Sequence, residues 1–200
     1  MRALHPPLRP PLHPWRFVLL AALAVWLAGC LDESEHPVAA ADPAQEDPRL
    51  WGAWLSVMED GFTVVHVLAT EDHKLRVIAI DHDVEGIGSE PDFYDAYPSK
   101  LPSGDYLNVL VTGSETGYLI GKYGFDGKDS VSIAFPAESA LKAAIEYGAL
   151  PGQVTDEGGV LDLRITATPE QWQAFLAKAP ADFFNEPMTF ARVGPAYVSE

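Results

Sequence analysis

The chain has 200 residues, of which 48% are hydrophobic, 10% aromatic and 21% charged. Its 29 Asp and Glu outnumber 13 Lys and Arg, for a formal net charge of −16. That balance argues against nucleic acid as a partner, since such binding needs clustered cations to displace counterions, and a single cysteine excludes an internal disulfide.

At the N-terminus, Arg2, Arg9 and Arg16 precede an apolar run from Phe17 to Ala28, which ends in Leu27-Ala28-Gly29 before Cys30. About a dozen apolar residues fall short of the about 20 that span a bilayer. A positive start, a short apolar core and small residues at the exit form the pattern of an export signal. The Leu27-Ala28-Gly29-Cys30 sequence resembles the lipobox of bacterial lipoproteins, in which the cysteine thiol carries diacylglycerol after cleavage. The resemblance implies a signal peptide over 1–29, lipidation of Cys30 and a membrane anchor in the bacterial cell envelope. Leu31, where an acid would retain a protein at the inner membrane, implies the outer membrane, facing the periplasm. Cleavage before Cys30 removes three arginines and no acids, moving the net charge to −19. Anionic lipid repels such a body, so acyl chains must hold it, two or three of them stably.

Residues 30–49 read as the lipidated cysteine followed by an acidic, disordered tether. Asp32, Glu33, Glu35, Asp42, Glu46 and Asp47 alternate with Pro37, Pro43 and Pro48, and such a composition buries too little surface to offset its ordering entropy. As a flexible coil it would reach about 25 Å. A single β-rich globular domain is expected over 50–197, the common size for one core.

Within it, Phe62 to Ala69 and Leu75 to Ile80 are β-branched runs that form a hairpin. Residues 84–105 show no clear periodicity and read as a long ordered contact loop carrying Phe93, Tyr94 and Tyr97. Tyr106 to Val111 is a strand, and Tyr118 to Tyr123 with Ser130 to Phe135 makes a second hairpin across Asp126-Gly127. A helix over 137–147 places Leu141, Ala144 and Ile145 on one face, with Gly148 as its left-handed stop. Leu161, Leu163 and Ile165 alternate with polar residues as a half-buried strand. Thr168-Pro169-Glu170-Gln171 opens a second helix with a capping box, and Trp172, Phe175, Leu176 and Ala179 follow as its core stripe. Met188 to Val193 closes the sheet.

These elements make an α+β fold, an antiparallel β-meander forming a curved sheet or incomplete barrel with two helices. The segments Trp51-Gly52-Ala53-Trp54, Tyr118-Leu119-Ile120 and Leu163 to Glu170 resemble those of uncharacterised small exported bacterial proteins. The Gly-Ala-Trp opening before β-meanders is distantly similar to lipocalin-like barrels. The helix at 137–147 falls where a lipocalin has strand, which predicts a sheet that does not close.

One constellation could carry chemistry. Asp81, Asp83 and Glu85 alternate before Gly86, with Asp92 at the twelfth position, as in the opening of a Ca2+ loop, and no Lys or Arg lies between 81 and 95. The strand-like run before it is unlike the helix of an EF-hand. His66, His73 and His82 lack metal-ligand spacing, and 113–117 lacks a nucleophile elbow. The reading is therefore a cell-envelope lipoprotein, a non-enzymatic binding module for an envelope protein or small ligand. A carboxylate-based or metal-dependent hydrolase using Asp81, Asp83 and Glu85 is one alternative, and a purely structural envelope protein is another.

Overall fold

The computed structural model describes residues 33–111, 117–157 and 160–194. A two-residue strand β1 (Glu33–Ser34) precedes β2 (Gly52–Met58), β3 (Gly61–Ala69), β4 (Leu75–Asp83), β5 (Asp92–Leu101), β6 (Gly104–Val111), β7 (Tyr118–Phe125) and β8 (Ser130–Ala134). Helix α1 (Glu138–Glu146), strands β9 (Gly152–Glu157) and β10 (Val160–Ile165), helix α2 (Pro169–Leu176) and strand β11 (Met188–Arg192) follow.

Strands β2 to β8 pair consecutively and antiparallel, and β11 fits between β8 and β2. With β6 also paired to β7, this is a closed eight-stranded barrel rather than the expected incomplete one. The antiparallel, barrel-like sheet with two helices is as expected; only its closure differs, because the helix does not replace a strand. The chain leaves the barrel after β8, builds α1, β9, β10 and α2 outside it, and returns as the eighth strand. Closure also leaves no sheet edge within the ring to be capped.

The alternation of side chains sorts the apolar residues into two cores. Inside the barrel, Trp54, Val67, Leu75, Ala96, Leu107, Tyr123, Val131 and Phe190 pack with Leu50. Outside it, Tyr106 and Ile120 pack against Leu141, Leu163, Ile165, Trp172, Leu176 and Phe183. The second core covers the β6–β7 wall with α1, α2 and the β1–β10–β9 extension. Both helices follow their sequence signals. The Thr168 capping box is formed, Trp172 and Leu176 are buried, and Gly148 takes φ 70° after α1.

The expected tether is corrected by the structure over 33–49. Val38 is fully buried in the outer core, its N–H donating to Asn108 Oδ1 at 2.8 Å and its carbonyl accepting from Gln173 Nε2 at 2.9 Å. Ser34 Oγ accepts from Trp172 Nε1 at 2.8 Å, and Glu35 accepts from Arg164 Nε at 2.6 Å. Acids and prolines that suggest disorder by composition are capping pairs here. Asp42 and Asp47 cap two short 3-10 helices, Pro43–Gln45 and Pro48–Leu50, whose first residues are prolines. The folded body therefore includes residues 33–49 as well as those from Leu50 onward.

This segment, 33–51, forms a strap that ends under the barrel. Asp47 is buried, with Oδ1 accepting from Arg49 Nε at 2.8 Å and Oδ2 from Arg49 Nη2 at 2.6 Å and from the Tyr123 hydroxyl at 3.2 Å. Arg49 lies 4.3 Å over Phe125, and Arg192 lies 4.1 Å over Trp54 while donating to the Trp51 and Arg49 carbonyls, each at 2.7 Å. Burial alone would raise the Asp47 carboxyl, but hydrogen bonds and charge from Arg49, with help from Tyr123, hold it below its ordinary value. Burial and the neighbouring Asp47 charge push the Tyr123 hydroxyl up. A depressed carboxylate contributes stability that is present above its unfolded pKa, about 3.9, and lost as pH falls through the folded value. Asp47→Ala should lower the unfolding free energy by roughly 2–3 kcal/mol at pH 7 by urea denaturation. The difference between variant and wild type should begin to shrink below about pH 4, where the unfolded chain takes up the proton, and be lost as pH falls through the lower folded value.

Candidate functional site in the barrel mouth

Strand register places Met58, Gly61, Asp83 and Met188 at one end of the barrel, the mouth, and Gly52, Ala69, Leu75 and Arg192 at the other, the base. The base is filled. Trp54, Val67, Leu75, Ala96, Leu107 and Tyr123 are buried there, and the strap with Leu50 and Asp47 lies beneath them. Toward the mouth the inward positions lose that cover. Val65, Val77, Ala79, Tyr94 and Val109 remain partly accessible although they lie on the inner face.

Polar groups converge on this accessible half. Thr63 and Asp81 are cross-strand partners, and Thr63 Oγ1 donates to Asp81 Oδ1 at 2.5 Å. Ser56 pairs with Thr63 from β2 and is buried. Tyr94 shares the inner face through its register with Val77, and Asp92 through its register with Ala79. Burial first, and then the charges of Asp92 and Asp81, raise the Tyr94 hydroxyl. The result is a cup with apolar walls, a filled floor and a carboxylate–phenol–hydroxyl collar. It can solvate an apolar body and hydrogen-bond a polar or cationic head, while its acids repel anions.

The Ca2+ arrangement does not form a shared ligand set here. Strand β4 runs through Asp83, and only 84–91 form the connection to β5. Asp83 Oδ1 is occupied in holding that turn, accepting from the Glu85 and Ile87 N–H groups at 2.9 Å each. Asp81 faces the lumen with Thr63, and Glu85 is exposed in the turn. Among the described residues no group of three or more His, Cys, Asp or Glu is placed to hold a metal ion.

The expected contact loop over 84–105 is mostly strand. Phe93, Tyr94 and Tyr97 lie on β5 and part company: Phe93 faces out and is half exposed, Tyr94 faces the lumen, and Tyr97 is buried under the strap. The Tyr97 hydroxyl donates to the Ala39 carbonyl at 3.2 Å, and its ring meets Tyr118 edge-on at 6.4 Å. Its role is thus to hold the strap. Cys30 and residues 112–116 lie outside the described residues. Among the described residues no helix is long and apolar enough to cross a membrane.

Thr63 and Ser56 were missed as site residues, yet a signal for Thr63 exists. Thr63-x-Val65-x-Val67 and Leu75-x-Val77-x-Ala79-x-Asp81 are the inward stripes of one hairpin, and their polar members fall at the same end. Comparison with protein-family models, curated proteins and solved structures finds no match for this chain.

The mouth and base make opposite predictions for thiol labelling in a Cys30→Ser background. A small methanethiosulfonate should modify Ala79→Cys in the folded protein within minutes. Ala96→Cys, whose parent side chain is 1% exposed, should react only on unfolding. Equal rates at the two positions would show that the lumen is uniformly filled or uniformly open.

Proposed function

We propose that this chain is a cell-envelope lipoprotein, anchored through Cys30, whose barrel binds a small amphipathic ligand at its mouth without transforming it. One observation carries the binding half of this reading: inward-facing residues at the mouth are accessible to solvent above a floor of buried aromatic and aliphatic side chains. Eight strands enclose a space that side chains just fill, or that holds one small ligand where they do not. Val65, Val77 and Val109 would take the apolar part, and Asp81, Tyr94 and Thr63 the polar end. A neutral or cationic head suits that collar. The anchor half rests on the Leu27-Ala28-Gly29-Cys30 sequence and the charge of the body, which gives acyl chains the whole task of attachment.

Two measurements test the two halves separately. Palmitate fed to producing bacteria should label the protein, and Cys30→Ser should abolish the label; equal labelling of both removes the anchor. In a titration of the protein with Nile red, a neutral environment-sensitive dye, emission should rise and shift to the blue. Val77→Trp, which fills the lumen, should weaken that binding about tenfold or more. Dye binding unaffected by Val77→Trp, or none at all, removes the lumen as the site.

A further inference from the structure

Only Leu31 and Asp32 separate Cys30 from Glu33, the first residue of β1. Three residue steps, fully extended, span at most about 11 Å. The register fixes which end of the barrel this short connection serves. Strand β5 starts in the mouth half, with Asp92 opposite Ala79, so β6 ends there and β7 begins there, at Tyr118. Ser34 pairs with Tyr118, and the Glu33 side chain lies over Gly117. Strand β1 is therefore at the mouth end, and a lipid on Cys30 holds that end within reach of the bilayer.

Exposed apolar side chains gather at the same end. Among the described residues eight large hydrophobics are exposed, and six of them belong to the mouth half. Val57 and Met58 end β2, Val84 and Ile87 lie in the 84–91 turn, Phe93 is second in β5 and Met188 opens β11. Val84 and Ile87 are 76% and 64% exposed, in a turn where water favours polar residues. The same rim carries Glu59, Asp60, Glu85 and Glu90, all exposed. These acids repel anionic lipid but suit a zwitterionic headgroup, whose outer group is an ammonium. Free in solution, so mixed a rim would hold lipid weakly. Tied by a connection this short, it meets the bilayer at an effective concentration of about millimolar, and weak contacts then suffice. Lipid is also the apolar phase that the anchor itself brings to the rim. We propose, on the anchoring of Cys30 given above, that the mouth rim docks on the bilayer that holds the acyl chains, with Met58, Val84, Ile87 and Met188 seated among zwitterionic headgroups. The lumen then opens onto lipid rather than onto bulk water.

The test uses the protein extracted from the membranes of producing bacteria, scored for palmitate label and reconstituted in phosphatidylcholine vesicles. Acylation occupies the Cys30 thiol, the only one in the chain, so an introduced cysteine takes the probe alone. Ile87→Cys and Val84→Cys at the rim, and Val193→Cys at the base, each carry a nitrobenzoxadiazole fluorophore. Phosphatidylcholine with a nitroxide near its headgroup should quench both rim probes, whose emission should also shift to the blue, and leave the base probe as bright as in unlabelled vesicles. In a protein that carries palmitate, absent quenching at the rim, or equal quenching at rim and base, overturns the docking and leaves the anchor standing. A protein without palmitate removes the anchor, and the docking with it.

Discussion

The strap between Glu33 and Trp51 is the constraint on which the two cores jointly depend. It touches both from outside the barrel wall. Val38 is buried among residues of the outer core, and twelve residues later Leu50 is buried in the barrel. Between them, backbone and side-chain hydrogen bonds fix the path: Asn108 to Val38, Tyr97 to Ala39, and the Lys100 N–H to Gln45. Asn108 explains why this tie is strong. It is fully buried and uses its amide on Val38, Tyr97 and Ser99, so freeing the strap would leave a buried amide oxygen without a partner. Displacing the strap therefore uncovers apolar surface in two places and orphans polar groups between them.

Closure of the barrel depends on this arrangement less directly. The return strand β11 pairs with β8 over four residues but with β2 over only two, at the Arg192 end. Arg192 compensates by spanning the seam, stacked over Trp54 and donating to carbonyls at 49 and 51. A guanidinium suits this position because it can stack by its face and donate in its plane at once, whereas an ammonium has no such plane. The seam is thus fastened by the same segment that closes the base.

How much of this is legible in the sequence follows from which elements have one buried face and which have two. The hairpin β3–β4, the strand at β10 and helix α2 each bury one side, so their periodicity is plain. Strand β5 defeats that logic. Its residues 96–99 are buried on both faces, by the lumen on one side and the strap on the other, and alternation disappears where both faces are covered. Strand β2, buried almost throughout its first half, is hidden for the same reason, and Trp51-Gly52-Ala53-Trp54 reads only as the start of a domain. The strap fails differently. Its composition is that of disorder, yet it contains one decisive apolar residue, Val38, and acids in capping positions. Composition averages over such positions and loses them. Of the site, Asp81 and Asp92 were legible as acids, but their grouping with Tyr94 required the register between β4 and β5.

The two ends of the barrel differ because the chain treats their polar groups in opposite ways. At the base, Asp47 is paired with a guanidinium and a phenol, and the neutralised cluster can be buried beneath aromatic side chains. At the mouth, Asp81 has a neutral hydroxyl from Thr63 and no ion pair is found with it or Asp92 among the described salt bridges. A carboxylate without a counter-charge must stay near water, since burying it would cost several kcal/mol. Two such acids beside Tyr94 therefore keep that half of the lumen from closing over them. The openness of the mouth is a consequence of uncompensated charge.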